Sequence, residues 1–295
     1  MAADDRADPI IETRFDALTG EQTVMVGGRQ SRPNLPADGC PFCPGGREAP
    51  EPYDVRWFTN RWPPLPDGRA EVVLYAPEHE ATLGSLPPER VRQVVELWAE
   101  RTTTLGARPD VDYVLVFENR GPEVGATIAH PHGQIYAFDE VPPAARRELD
   151  PPPAAPSSCV VCAEDPGDRL VTSIGGWRAW VPDAATWPYG LVIAPTGHLP
   201  DLPGAAASHC ELAALIVHLF GRLDRLFDAP MPLMWWWHQR PTDGGAWPGA
   251  HVHAHVAPLL RAPGTTRFVA AGELGSGVFF NPVPPTEAAG RLRDA

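Results

Sequence analysis

Short apolar runs with strand character alternate along this chain with two long stretches of helical periodicity. Val72-Val-Leu-Tyr-Ala and Leu191-Val-Ile-Ala each read as a strand closed by a proline turn, leading to His79 and to His198. A helix follows in each case. After Pro87 and Pro88, Val91, Val94, Val95 and Trp98 recur at helical spacing, as do Leu212, Leu215, Ile216, Leu219 and Leu223 later on. Ser208 and Glu211 form a capping-box pattern ahead of that second helix. A strand then follows in each place, Tyr113-Val-Leu-Val-Phe117 or Leu233-Met-Trp-Trp-Trp237, and a glycine-rich connection. Each series ends in a histidine cluster entering a strand: His130-Pro-His-Gly-Gln-Ile-Tyr136 and His251-Val-His-Ala-His-Val256.

The two series keep one ruler. Cys40-Pro-Phe-Cys43 and Cys159-Val-Val-Cys162 are 119 residues apart, and each second cysteine stands 36 residues before an isolated histidine, His79 or His198. From those histidines, His130 lies 51 residues on and His251 lies 53 on. Six ordered landmarks in agreement predict an internal duplication. The expected class is α+β, with two tandem units, each a mostly antiparallel sheet with helices, over residues 1–145 and 146–295. The proline-rich run from Val141 to Ser158 is expected to be a semi-rigid linker between them.

Composition narrows the chemistry. The 295 residues carry a net charge of -13, which repels nucleic-acid backbones and anionic membranes, so neither is an expected partner. All 24 basic residues are arginine, which excludes a P-loop lysine, a Schiff-base lysine and a kinase lysine. The start, Met-Ala-Ala-Asp-Asp-Arg, is acidic where a secretory signal is basic, and no run of about 18 apolar residues stands out, so a cytoplasmic location is expected. Four of the five cysteines fall in the two C-x-x-C pairs, which points to metal or redox chemistry rather than a disulfide framework.

Two thiolates from a tight turn and two distant histidines complete a tetrahedron, as in structural zinc sites. The expected ligand sets are Cys40, Cys43, His79 and His130, and Cys159, Cys162, His198 and His251. The competing reading is a redox or buried cysteine pair, but the strand-to-helix setting of a thioredoxin-like pair is missing. In His130-Pro-His132-Gly-Gln134, alternate residues on a strand point to one face. With His130 committed to metal, His132 is placed to act. A neutral imidazole attacks phosphorus through one nitrogen if a carbonyl holds the proton on the other. Gln134 can then donate an amide hydrogen bond to the phosphoryl oxygens. A second metal ligand or a packed core histidine is the alternative reading of His132.

The stretch Phe117-Glu-Asn-Arg-Gly121 with Gly125-Ala-Thr-Ile-Ala-His-Pro-His-Gly-Gln-Ile-Tyr136 closely resembles the galactose-1-phosphate uridylyltransferase family of the histidine-triad superfamily. The likeness extends through Leu18-Thr-Gly20, Arg29 and Arg32-Pro, Phe58-Thr-Asn60, Ala254-His-Val-Ala-Pro-Leu-Leu-Arg261, and Arg267-Phe268 to Glu273-Leu274. The resemblance implies that His132 is a nucleophile that takes up UMP and that Gln134 holds the phosphoryl group. It also implies that Arg29, Arg32, Asn60 and Asn119 contact the nucleotide, that Thr127 lies near the phosphates, and that Glu273 binds the hexose. It implies two histidine-triad-like units, zinc at the first ligand set, and a homodimer whose subunits share each site. Many members hold a second metal with a glutamate and three histidines. In this chain His238, His253 and His255 match those histidines and compete with His198 and His251 for the second site.

The implied reaction is ping-pong transfer of UMP between UDP-glucose and galactose 1-phosphate. Two alternatives remain at this point: the same histidine chemistry on another nucleotide sugar or adenylated metabolite, and a non-catalytic zinc-binding scaffold.

Overall fold

The computed structural model describes residues 11–27, 39–150 and 159–295, so Arg29, Arg32 and the proline-rich run at 151–158 lie outside the described residues. After a two-stranded hairpin of β1 (Ile11–Phe15) and β2 (Gln22–Val26), the first series supplies β3 (Arg56–Thr59), β4 (Ala70–Leu74), helix α1 (Pro88–Gly106), β5 (Tyr113–Arg120) and β6 (His132–Phe138). Two short helices follow, α2 (Pro143–Leu149) and α3 (Val160–Ala163). The second series supplies β7 (Leu170–Ile174), β8 (Trp177–Trp180), β9 (Leu191–Pro195), α4 (His209–Arg225), β10 (Leu233–His238) and β11 (His253–Pro258). The hairpin of β12 (Leu260–Ala262) and β13 (Thr265–Thr266) and the helices α5 (Ala271–Ser276) and α6 (Pro285–Asp294) close the chain.

Strands β3 to β11 form one nine-stranded antiparallel sheet in the order β3-β4-β6-β5-β10-β11-β9-β8-β7. The predicted mixture of helices with antiparallel strands is what the chain builds, but the two sheets expected, one for each unit, are joined in a single sheet. About the β5–β10 pair, where Phe117 faces Trp236 and Arg120 faces Leu233, the order β5-β6-β4-β3 on one side matches β10-β11-β9-β8 on the other, and β7 adds one more strand at the second edge. The series thus join edge to edge, and neither leaves a free edge at the middle of the sheet.

One face of the sheet is covered by α1 and α4. Gly84 lies so close to α4 that a Cβ there would sit 2.5 Å from the Gly221 nitrogen, so only glycine permits this approach. Trp98, Tyr75, Phe220, Trp235, Trp237 and Trp177 fill the layer between helices and sheet, all fully buried. Each such ring removes about 150–250 Å² from water, which is why the helices cover this face. Residues 203–225, which include α4, are long and apolar enough by composition to cross a bilayer. Leu212, Leu215, Ile216, Leu219 and Leu223 bury its apolar side in the core.

Two local expectations are corrected. Ser208 makes no side-chain cap on α4: its hydroxyl donates to the Ala205 carbonyl and accepts from Trp177 Nε1, because a 3-10 turn over 203–208 leads straight into the helix. Part of the expected linker is also ordered structure, since Pro142 and Pro143 open α2, a start that proline's fixed φ favours.

Candidate active site and metal centres

The loop before β3 turns sharply at Gly46, where a Cβ would come within 2.7–2.8 Å of the carbonyl oxygens of Cys40, Pro41 and Cys43. That turn draws the two thiols together. His79 follows β4 and His130 precedes β6, and the ligand atoms of Cys40, Cys43, His79 and His130 all lie within 4.8 Å of one another. Cys43 Sγ is 3.5 Å from His79 Nδ1 and 3.6 Å from His130 Nδ1. Zinc bonds of about 2.3 Å to sulfur and about 2.0 Å to nitrogen, set at tetrahedral angles, separate such atoms by about 3.5 Å, so the group has the dimensions of a zinc site. His130 Nε2 lies 2.8 Å from the Ala76 carbonyl, and the Tyr53 hydroxyl is 2.8 Å from the same nitrogen. Donation to Ala76 fixes the tautomer and turns the Nδ1 lone pair toward the thiols. Burial lowers the His130 pKa, partly opposed by that bond, and raises the Cys43 thiol. A cation at the centre would reverse the thiol's shift.

The next polar positions on β6 are His132, Gln134 and Tyr136. They alternate with buried Gly133, Ile135 and Ala137, and so line the sheet face opposite the helices. His132 Nδ1 donates to the His130 carbonyl at 2.8 Å, which leaves the lone pair at Nε2. The Phe42 ring stands edge-on to the imidazole at 5.1 Å. Gln134 Oε1 accepts from the Tyr136 hydroxyl at 3.2 Å and from Asn60 Nδ2 at 3.4 Å. A fixed tautomer beside a positioned amide donor suits in-line attack on a phosphoryl group.

Across the sheet the same local plan recurs. Cys159 Sγ lies 3.4 Å from His251 Nδ1, and Cys162 Sγ lies 3.3 Å from both His198 Nδ1 and His251 Nδ1. His251 Nε2 points to the Pro195 carbonyl at 3.1 Å, as His130 does to Ala76, and burial lowers its pKa to about 4. Burial likewise pushes the Cys162 thiol up to about 11. His253 Nδ1 donates to the His251 carbonyl at 2.7 Å.

The expected competition for this second group does not occur. His238, His253 and His255 form a third group with Glu148 of α2, their ligand atoms within 4.8 Å of one another. Glu148 Oε2 is 2.5 Å from His238 Nδ1 and 3.0 Å from His253 Nε2, and its Oε1 is 3.2 Å from His255 Nε2. Burial alone would raise the carboxyl, but the bonds to His238 and His253 and the close approach of His255 outweigh it and hold Glu148 well below the usual carboxylate range. Sequence reasoning had assigned residue 148 to a linker. The signal available was the run Ala-Ala-Arg-Arg-Glu-Leu after two prolines, a helix start rather than a spacer. The chain therefore keeps both a Cys₂His₂ set and a Glu-His₃ set in its second series, each able to hold a metal.

Known proteins resemble this chain in sequence and fold. Residues 60–142 match the family model described as galactose-1-phosphate uridyl transferase, N-terminal domain. A galactose-1-phosphate uridylyltransferase from Thermotoga maritima is 33% identical, covering 97% of this chain and 98% of that protein. The chain belongs to the galactose-1-phosphate uridylyltransferase family. A second member, from Streptomyces lividans, is 35% identical over 96% of this chain and 86% of its own length. A solved uridylyltransferase structure superposes with a TM-score of 0.85 at 28% identity, covering 97% of this chain and 98% of that one.

The positions assigned through the family resemblance are not all drawn together in the same way. Asn119 lies on β5 two residues beyond Phe117, the cross-strand partner of Gln134, and so shares its sheet face. Thr127 is half-buried in the loop leading to β6. Asn60 reaches Gln134 itself, with its Oδ1 accepting from the Trp62 amide at 2.9 Å. Glu273 is turned inward: its carboxylate accepts from Arg267, from the Ala270 amide at 2.9 Å and from the Phe280 amide at 2.9 Å, capping α5. Those two backbone bonds and Arg267 hold its pKa below the usual value.

Proposed function

We propose that this chain exchanges UMP between UDP-glucose and galactose 1-phosphate by ping-pong transfer through a uridylyl group on His132. The observation that carries the reading is the His132 Nδ1 bond to the His130 carbonyl, with Gln134 two residues on along the same face. The Nε2 lone pair attacks the α-phosphorus in line, a P–N bond forms, and the P–O bond to hexose 1-phosphate breaks. The leaving group departs as a phosphate monoester, so a strong general acid is not required. A second hexose 1-phosphate then attacks the same phosphorus and the P–N bond breaks. The two inversions give net retention. Gln134 donates to the phosphoryl oxygens as charge builds there. Arg29, Arg32, Asn119 and Thr127 complete the nucleotide's surroundings in this reading, and Glu273 serves the hexose side by holding its segment in shape.

Zinc at the two Cys₂His₂ groups would supply cross-links that fix the loops before β6 and β11, and with them the carbonyls of His130 and His251. The matching strand order and ruler support descent of residues 1–145 and 146–295 from one duplicated histidine-triad-like unit, with α2 at the boundary. Exposed Phe15, Leu18, Phe268, Leu274 and Phe280 support a homodimer that covers them. The net charge of -13 supports a cytoplasmic enzyme with no nucleic-acid or membrane partner.

Mass spectrometry after incubation with UDP-glucose and no acceptor tests the reading. One acid-labile UMP on His132 is expected. Turnover with an unmodified His132 would reject it.

A further inference from the structure

We propose that Tyr136 is a positioning residue that, together with Asn60, holds the Gln134 carboxamide with its Nε2 end toward the phosphoryl group. The inference rests on the uridylyl-transfer reading above and asks what makes its amide donor point the right way. The two ends of a carboxamide are nearly equal in size and opposite in hydrogen-bonding sense. Only Nε2 can stabilise a phosphoryl oxygen, whereas Oε1 would repel it. A glutamine on an open sheet face rotates about several bonds, so its orientation must come from its neighbours.

Among the described residues, two side chains address the oxygen. The Tyr136 hydroxyl donates to Oε1 at 3.2 Å, and Asn60 Nδ2 donates to the same atom at 3.4 Å. Asn60 cannot turn to offer its own oxygen without losing the bond from the Trp62 amide to Oδ1 at 2.9 Å. The Tyr136 ring is set edge-on against Phe117, with centroids 4.7 Å apart, and lies 6.3 Å from Phe138. Packing thus fixes the ring, and the ring carries the hydroxyl to Oε1. With Oε1 held by two donors, Nε2 is the end of the carboxamide left to present to a substrate.

The second series offers an internal contrast. Counting from His130 and His251, the residues matching His132, Gln134 and Tyr136 are His253, His255 and Ala257. Where the amide is replaced by an imidazole bound to Glu148, the aromatic hydroxyl is replaced by a methyl group. Packing alone would be served by phenylalanine at 136, so the hydroxyl is the informative atom.

The test is rapid-quench uridylylation of Tyr136→Phe, Gln134→Ala and the double variant with UDP-glucose. Loss of one neutral hydrogen bond predicts a slower uridylylation step in Tyr136→Phe by about fivefold at saturating UDP-glucose, with half-saturation changed by less than about twofold. In the Gln134→Ala background the same substitution should cost nothing further. A Tyr136→Phe enzyme with the parent rate overturns the proposal, and so does an equal loss in both backgrounds, which is what a merely structural tyrosine would give. If the parent enzyme takes no UMP on His132, the uridylyl-transfer reading fails and this inference fails with it, a result distinct from either of the other two.

Discussion

The Nδ1–H of His132 donates to the carbonyl of His130 at 2.8 Å, so a residue of the first metal group fixes the tautomer of the residue beside it. His253 makes the same bond to His251 at 2.7 Å, yet its Nε2 is 3.0 Å from Glu148. Identical backbone geometry thus serves two ends. On β11 that second nitrogen is absorbed into a ligand group with Glu148.

That difference predicts unequal costs. His132→Gly should abolish uridylylation, because no other group is held in its place. His253→Ala should leave the chemical step within about tenfold, or about 1.4 kcal/mol on the barrier. Single-turnover measurements on both variants check this. A folded His253→Ala protein that cannot be uridylylated would show that the division between the two series is wrong.

The metal groups predict a separable stoichiometry. Elemental analysis of protein purified without added metal should return about two zinc ions per chain for the two Cys₂His₂ groups. Cys40→Ser should lose one, and the Cys159→Ser, Cys162→Ser pair should lose the other. Glu148→Gln should retain both zinc ions, while any further ion present should leave with it. Loss of zinc from the first group after Glu148→Gln would show that the groups are not independent.

Much of this was legible before any coordinates. The ruler from C-x-x-C to isolated histidine to histidine cluster located both Cys₂His₂ groups, because tetrahedral coordination demands those side chains whatever lies between them. Strand and helix periodicity located β4, α1, β5, β6 and their counterparts. Glu148 was missed because a single carboxylate in a proline-flanked run carries no spacing signal, and its partners come from β10 and β11. Ser208 misled because a capping pattern fixes hydrogen-bonding potential and not the path by which the chain enters the helix. The Tyr136 bond to Gln134 depends on rotamers, which periodicity does not encode.

Gly133 makes a prediction about packing. A Cβ there would lie 2.0 Å from the Tyr75 hydroxyl and 3.0 Å from the Phe117 carbonyl. Tyr75 is fully buried in a close-packed layer and the Phe117 carbonyl is backbone, so the chain must shift to accept it. Gly133→Ala should destabilise the fold by about 1–3 kcal/mol, as overpacking does, and should disturb the His132 next to it. Adding Tyr75→Phe removes the nearer atom and should recover part of the loss. Thermal unfolding of the single and double variants measures it, and a Gly133→Ala protein as stable as the parent would contradict the clash.

Glu118 predicts a pH dependence of stability. Its carboxyl is buried on β5 at the joint between the two series, where Oε2 accepts from Trp235 Nε1 at 2.9 Å. Burial pushes its pKa up to about 7 from 4.5, against the opposing pull of Arg120 and the Trp235 bond. A folded value above the unfolded one means that the folded chain holds a proton the unfolded chain releases. The group's contribution is full below pH 4.5, declines as pH rises toward 7, and is lost above it. Those two values correspond to about 3 kcal/mol across the window. Glu118→Gln stays neutral and can still accept from Trp235, so its stability should lack this component. Metal ligands and other titrating groups are common to both proteins and cancel in the difference. Denaturant unfolding of parent and variant at several points between pH 5 and pH 8 should show the variant gaining on the parent as pH rises. Parallel profiles would mean that Glu118 is not the buried proton carrier that its surroundings describe.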